Sequence, residues 1–198
     1  RGRGAGGRAR GAARIVHATG SCFARATECP RASVLRERAE RTNMTATGMK
    51  PRLDIHKVDA AAYEPMIALE KYVHAGTLGE ALIGLVKMRA SQINGCAFCL
   101  NMHGEEARKA GVDQRRLDVL SAWEEAPYLY SAREQAAIAL TEQVTRIGAG
   151  GVADATWERV RAAFTDKEIV QLIMAIGAIN VWNRMAIATH MLLPGFHG

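Results

Sequence analysis

Residues 78–111 read LGEALIGLVKMRASQINGCAFCLNMHGEEARKAG. Asn94-Gly95 divides this stretch, because both residues tolerate the left-handed backbone geometry that ends a helix. Upstream, Thr77 with Glu80 has the capping-box pattern and predicts a helix from about Leu78 to Ile93. Downstream, a second helix is predicted over Cys96–Ala110, stopped by Gly111. That reading puts Cys96 and Cys99 in a first turn, where unpaired backbone N–H groups and the helix dipole favour a thiolate. Cys99 and His103 are then i and i+4, with Cys96 one turn below on the same face. Two thiols and an imidazole on one ridge can take up an oxidant, close a disulfide and move the protons, so the pattern points to redox chemistry.

The same kind of punctuation recurs along the chain. Asp59 is expected to cap a helix running to about His74, with Pro65 tolerated only near its first turns. Asp113 caps Gln114 to about Trp123, and Ser131 with Glu134 opens a helix to about Ile147. Gly148, Gly150 and Gly151 break the chain, Asp154 caps Ala155–Phe164, and Thr165 with Glu168 opens a last helix to about His190. No period-2 run competes with these signals. The fold class expected for 49–198 is all-α, a compact bundle of about six to seven helices. The most apolar run, Ile169–Ala178, is interrupted by Gln171 and followed by Asn180, Asn183 and Arg184. No stretch is expected to reach the length of a membrane span, and this one reads as a buried core or interface helix. One small bundle can hardly cover it on every side, which implies an oligomer.

Charge separates the chain into two parts. The 198 residues carry a formal net charge of +6, but Arg1–Gly48 holds ten Arg against Glu28, Glu37 and Glu40, leaving sixteen Lys and Arg against seventeen Asp and Glu from Met49 onward. The body is thus nearly neutral, and the basic excess gives no reason to expect nucleic acid as its partner. Arg1–Gly48 is rich in Arg, Gly and Ala without an apolar period and is expected to be a disordered extension. Three origins fit it: a start placed upstream of a true initiator at Met49 or Met44, a genuine extension, or an Arg-rich, acid-poor transit peptide. Cys22 and Cys29 fall there and are given no role. Four cysteines make no disulfide framework, and a CxxC in a cysteine-poor body fits a reducing cytoplasmic setting. A structural zinc site would need four ligands, yet the body has no other cysteine, and His56, His74, His190 and His197 stand singly. An inert buried pair is the remaining alternative. No flavin, haem or metal motif is present, so no cofactor is expected.

The segment from Leu82 to His103, with its pattern SQxNGCxxCxxxH, together with Ser121–Pro127 and Ala178–Arg184, resembles the AhpD-like alkylhydroperoxidases of the carboxymuconolactone decarboxylase superfamily. The resemblance covers about Met49 to Pro194. It implies an all-helical fold assembled as trimers or hexamers, with the cysteine pair near a subunit interface. It also implies that Cys99 attacks a hydroperoxide and becomes a sulfenic acid, and that Cys96 resolves it to a disulfide while His103 positions or relays the proton. A dithiol protein would then rereduce the pair. The family commonly has a glutamate twelve residues before the first cysteine, and here that position is Gly84. Glu80, one turn earlier, could reach inward through a water as a substitute relay, or simply cap its helix with Thr77.

The function expected is therefore a thiol-dependent peroxidase. A redox-sensing or scaffold oligomer with little turnover is one alternative, and a lactone decarboxylase-type enzyme the other, although the latter has no need of two thiols. Ser91 and Asn94 either hydrogen-bond near the thiols or merely end the preceding helix. His103 could equally be a packing histidine. Trp182, Asn183 and Arg184 are expected to be structural or interface residues, with substrate contact as the alternative and a buried Arg184 needing an acidic partner. Lys87 and Arg89 are expected to be surface or interface charges. Met66, Met88, Met102, Met174, Met185 and Met191 are expected to lie mostly in the core.

Overall fold

A computed structural model describes residues 50–148 and 150–195; the expected extension with Cys22 and Cys29, as well as His197, lies outside the described residues. Among the described residues there are eight α-helices, three 3₁₀ segments and no strand. The helices are α1 (Ile55–Val58), α2 (Glu64–His74), α3 (Glu80–Asn94), α4 (Ala97–Lys109), α5 (Gln114–Asp118), α6 (Ala132–Thr145), α7 (Asp154–Ala163) and α8 (Asp166–Thr189).

Helix α3 is the axis of the bundle. It packs against α4, α6 and α8, and its residues Leu82–Ser91 form ten consecutive buried positions. A helix enclosed on every side must bury its charges as well as its leucines. Lys87 and Arg89, expected on a surface or interface, are therefore inside, each with a carboxylate: Lys87 Nζ lies 2.7 Å from Glu70 and Arg89 2.7 Å from Glu142. Leu82, Leu85 and Val86 join Val73, Leu140, Leu172 and Ile176 in the apolar interior. Each such side chain contributes about 1.5–3 kcal/mol by leaving water. Gly84 lets α3 and α4 approach closely, since a Cβ there would sit 2.9 Å from Ala107 Cβ.

Helix α8 has 24 residues and contains an 18-residue window of mean hydropathy 1.3, so it is long and apolar enough to cross a membrane by length and composition, contrary to the sequence expectation. Its inner stripe of Ile169, Leu172, Ile176 and Ile179 is instead core. Gln171 on the same side donates to the Val73 carbonyl at 2.5 Å, so this buried amide finds its partner within the bundle. Val170, Ile173, Met174, Val181 and Ile187 remain exposed on the other side.

Two of the three capping boxes form. Ser131 with Glu134 and Thr165 with Glu168 satisfy both halves of the motif. The third does not: Gly79 caps α3 at φ 83°, Thr77 Oγ1 donates to Glu168 at 3.2 Å, and the Glu80 carboxylate goes to His74. A glycine between two capping residues lets the chain turn away before the box closes. The Asp59 helix is broken too. Asp54 caps α1, and Asp59 joins α1 to a 3₁₀ turn without a side-chain cap bond. Helix α5 stops at Asp118 and continues as 3₁₀ with non-helical geometry at Ala122. Asp154 is the first residue of α7 rather than its cap. Of the six methionines named above, only Met88 is buried; Met66, Met102, Met174 and Met185 lie at less enclosed helix positions and Met191 follows the end of α8.

Candidate active site

The backbone places the cysteine pair through a single junction. Gly95 adopts φ 70°, the left-handed value expected from Asn94-Gly95, and the Cys96 N–H bonds back to the Ser91 carbonyl at 3.0 Å. Cys96 thus closes α3 while serving as N-cap of α4, its sulfur accepting the Cys99 N–H at 3.4 Å. The sulfur replaces the oxygen usual at this position. Both cysteines are free and each is 1% exposed. Their sulfurs lie 2.7 Å apart and share a hydrogen bond.

That contact governs the electrostatics. The side-chain hydrogen bond with Cys99 lowers the Cys96 thiol to about 6; the Cys99 backbone N–H and the Asn183 amide act in the same direction, against the effect of burial. Cys99 is pushed well above the usual thiol range, first by that same bond and then by burial, with the Asn183 amide opposing. The two protons therefore leave in steps that belong to the pair, the first readily and the second with difficulty.

His103 is 3% exposed, one turn beyond Cys99 on α4. Its Nδ1 lies 2.7 Å from Glu106, and its Nε2 is buried with no hydrogen-bond partner among the described residues. A carboxylate only accepts, so Nδ1 carries a proton, and in the neutral ring Nε2 keeps a lone pair. His103 in turn holds the Glu106 carboxyl below the usual range, against partial burial. The sequence reading missed Glu106, although its i+3 spacing from His103 on one helix was an available signal.

Glu80 makes no hydrogen bond to the cysteine pair or His103, but it lines the cavity beside them. Its side chain is 59% exposed and hydrogen-bonds His74 Nδ1 at 2.8 Å. His74 Nε2 takes Lys87 Nζ at 3.2 Å, Lys87 reaches Glu70, and Glu70 accepts the Trp182 indole N–H at 2.9 Å. These groups and the His103–Glu106 pair line one open cavity of about 590 Å³. It brings these charged side chains up to the buried His103.

On the opposite side, Ser91 and Asn94 reach the thiol region through Asn183. Asn94 Nδ2 donates to Asn180 and Asn183 at 2.9 and 2.8 Å, and Asn183 Nδ2 donates to Ser91 Oγ at 3.1 Å. Arg184, expected to be buried against an acid, is exposed and donates to Asn180 instead. Asn183 rather than Arg184 is the inward residue of that triplet, with its side chain fully buried. Among the described residues no cluster of three or more His, Cys, Asp and Glu could hold a metal ion.

Comparison with known proteins agrees with the sequence pattern. The chain matches the carboxymuconolactone decarboxylase family over residues 60–143. It is 37% identical over 140 residues to the uncharacterized protein YdfG of Bacillus subtilis, covering 71% of this chain and 95% of that protein. The crystal structure of ATU0492 from Agrobacterium tumefaciens, a protein of unknown function with a suggested assignment as the antioxidant defence protein AhpD, is 41% identical. It superposes with a TM-score of 0.70, covering 73% of this chain and 99% of its own. A debrominase, Bmp8, is 13% identical with a TM-score of 0.63, covering 85% and 90%, and shares the fold alone. The chain belongs to the carboxymuconolactone decarboxylase superfamily, as one of its AhpD-like members.

Proposed function

We propose that this chain is a thiol-dependent peroxidase that reduces hydrogen peroxide or alkyl hydroperoxides with the Cys96–Cys99 pair. The reading is carried by two buried thiols in contact at a helix start, with an unpartnered His103 Nε2 one turn further along the same helix. Cys99 passes its proton to His103, and its sulfur attacks the terminal peroxide oxygen. The S–O bond forms as the O–O bond breaks, and the departing alkoxide takes the proton from His103 and leaves as an alcohol. Cys96 then attacks the Cys99 sulfenic acid, a disulfide forms and water is lost. An external dithiol protein returns two electrons by exchange and regenerates both thiols. Glu106 holds His103 in the acceptor tautomer, supplying a carboxylate that Gly84 does not.

The capping geometry favours a second reading of the roles, in which Cys96 attacks, because the Cys96 sulfur accepts the Cys99 N–H and contact with the Cys99 sulfur lowers its thiol. A single experiment separates them. The full chain carrying Cys96→Ser or Cys99→Ser is given one equivalent of hydrogen peroxide, and sulfenic acid is trapped with a cyclic dione and located by mass spectrometry. Trapping at Cys99 in the Cys96→Ser protein, with Cys99→Ser inert, supports the proposed roles. The reverse pattern transfers the attack to Cys96, and no trapping in either removes the peroxidase reading.

The exposed apolar positions Val170, Ile173, Met174, Val181 and Ile187 on α8 support a homo-oligomer, a trimer or hexamer by resemblance. The two free thiols suit a cytoplasmic, reducing setting.

A further inference from the structure

The hydrogen bonds around the thiols have a direction that begins at the surface. Arg184 only donates, and its Nη1 meets Asn180 Oδ1 at 2.9 Å. The Ile176 carbonyl only accepts, and Asn180 Nδ2 meets it at 2.9 Å, so both ends of the Asn180 amide are fixed. Asn94 must then offer its Nδ2 to Asn180 Oδ1, and the second hydrogen of that Nδ2 goes to Asn183, which has to present Oδ1. Asn183 is left with Nδ2 turned the other way. One of its hydrogens goes to Ser91 Oγ.

Position along α8 says where the other hydrogen goes. Ile179, Asn183 and Ala186 form one stripe of the helix, and both flanking residues pack in the same apolar cluster as Cys96 and Cys99. An amide enclosed there cannot turn to water, and a sulfur anion is the acceptor at hand. We infer that Asn183 donates an amide N–H to the thiolate of the cysteine pair, its orientation locked from the surface by Arg184 through Asn180 and Asn94. Asn180, Asn94 and Arg184 are positioning residues; Asn183 is the group that touches sulfur. Of the other titratable groups, His103 lies one turn beyond Cys99 on the same helix. On α3, Lys87 and Arg89 are paired with Glu70 and Glu142, and on α4, His103 is paired with Glu106.

The inference rests on the pair working as a thiolate, but its test needs no peroxide and can fail independently of the peroxidase reading. The prereduced full chain is titrated by thiolate absorbance near 240 nm, as wild type, Asn183→Leu and Arg184→Met, with thermal melts to establish folding. A hydrogen bond to a charged group of ordinary strength corresponds to about one to two pH units. Asn183→Leu is expected to raise the first thiol ionisation by that amount, with a smaller rise for Arg184→Met. A folded Asn183→Leu that titrates like wild type overturns the inference. If Asn183→Leu does not fold, Arg184→Met, altered at an exposed side chain, decides: a rise supports the inference and an unchanged titration overturns it.

Discussion

Gly84 stands where the family resemblance implies a relay glutamate, and its environment makes a quantitative test possible. In Gly84→Ala the new Cβ would lie 2.9 Å from Ala107 Cβ and 3.1 Å from Ala107 Cα. Carbon atoms prefer separations of about 3.5–4.0 Å, so α4 must retreat by roughly half an ångström or more. Alanine gains about 1 kcal/mol of helix propensity over glycine, and overpacking a tight core costs about 1–3 kcal/mol. The net expectation is a loss of about 1 kcal/mol. Ala107→Gly alone loses propensity and a buried methyl, together about 2 kcal/mol. In the double variant the new methyl occupies the space vacated by the old one, so its stability should return to within about 1 kcal/mol of wild type rather than falling by the sum of the singles. Urea unfolding with a common slope reads all four proteins. A Gly84→Ala protein as stable as wild type, or a double variant equal to the sum of the singles, refutes the close-approach argument. By the same argument, Gly84→Glu should cost stability without restoring a relay.

Glu106→Ala is expected to lower the rate constant for peroxide reduction by about tenfold to a hundredfold, while the melting temperature hardly changes because that side chain is 55% exposed; stopped-flow kinetics and thermal melts check both. Glu70→Leu strands Lys87, whose side chain is 4% exposed. It should cost about 3 kcal/mol in chemical denaturation, and adding Lys87→Met should recover most of that loss. Arg133 holds the Glu168 carboxyl at about 2, with Thr165 assisting. A carboxyl lowered in the folded state stabilises above its unfolded value and loses that contribution as pH falls through the folded one. Melting temperature should therefore decline from about pH 5 toward pH 2, with a shallower decline in Arg133→Gln.

The helical class and the position of the cysteine pair were legible because they depend on local chemistry. Asn94-Gly95 reverses the chain whatever surrounds it, and Cys96 and Cys99 follow at fixed spacing. The capping pairs Ser131–Glu134 and Thr165–Glu168 were legible for the same reason. What failed depended on neighbours distant in sequence. The burial of Lys87 and Arg89 follows from α3 being enclosed on all sides, and Thr77 finds Glu168 ninety-one residues away rather than its local partner. Glu80 is the exception: it is claimed by His74, a near neighbour in sequence that the capping pattern does not include. Asn183 and Arg184 are adjacent, and the helical rotation between them sends one to the thiols and the other to solvent. Their composition alone does not say which.

The most direct measurement is stopped-flow reduction of hydrogen peroxide by the prereduced full chain, followed by steady turnover with a dithiol, with Cys96→Ser and Cys99→Ser in parallel. Rapid oxidation and sustained turnover that require both thiols are the expected result. Slow or single-turnover oxidation to a Cys96–Cys99 disulfide, or turnover that survives loss of either sulfur, contradicts the peroxidase account.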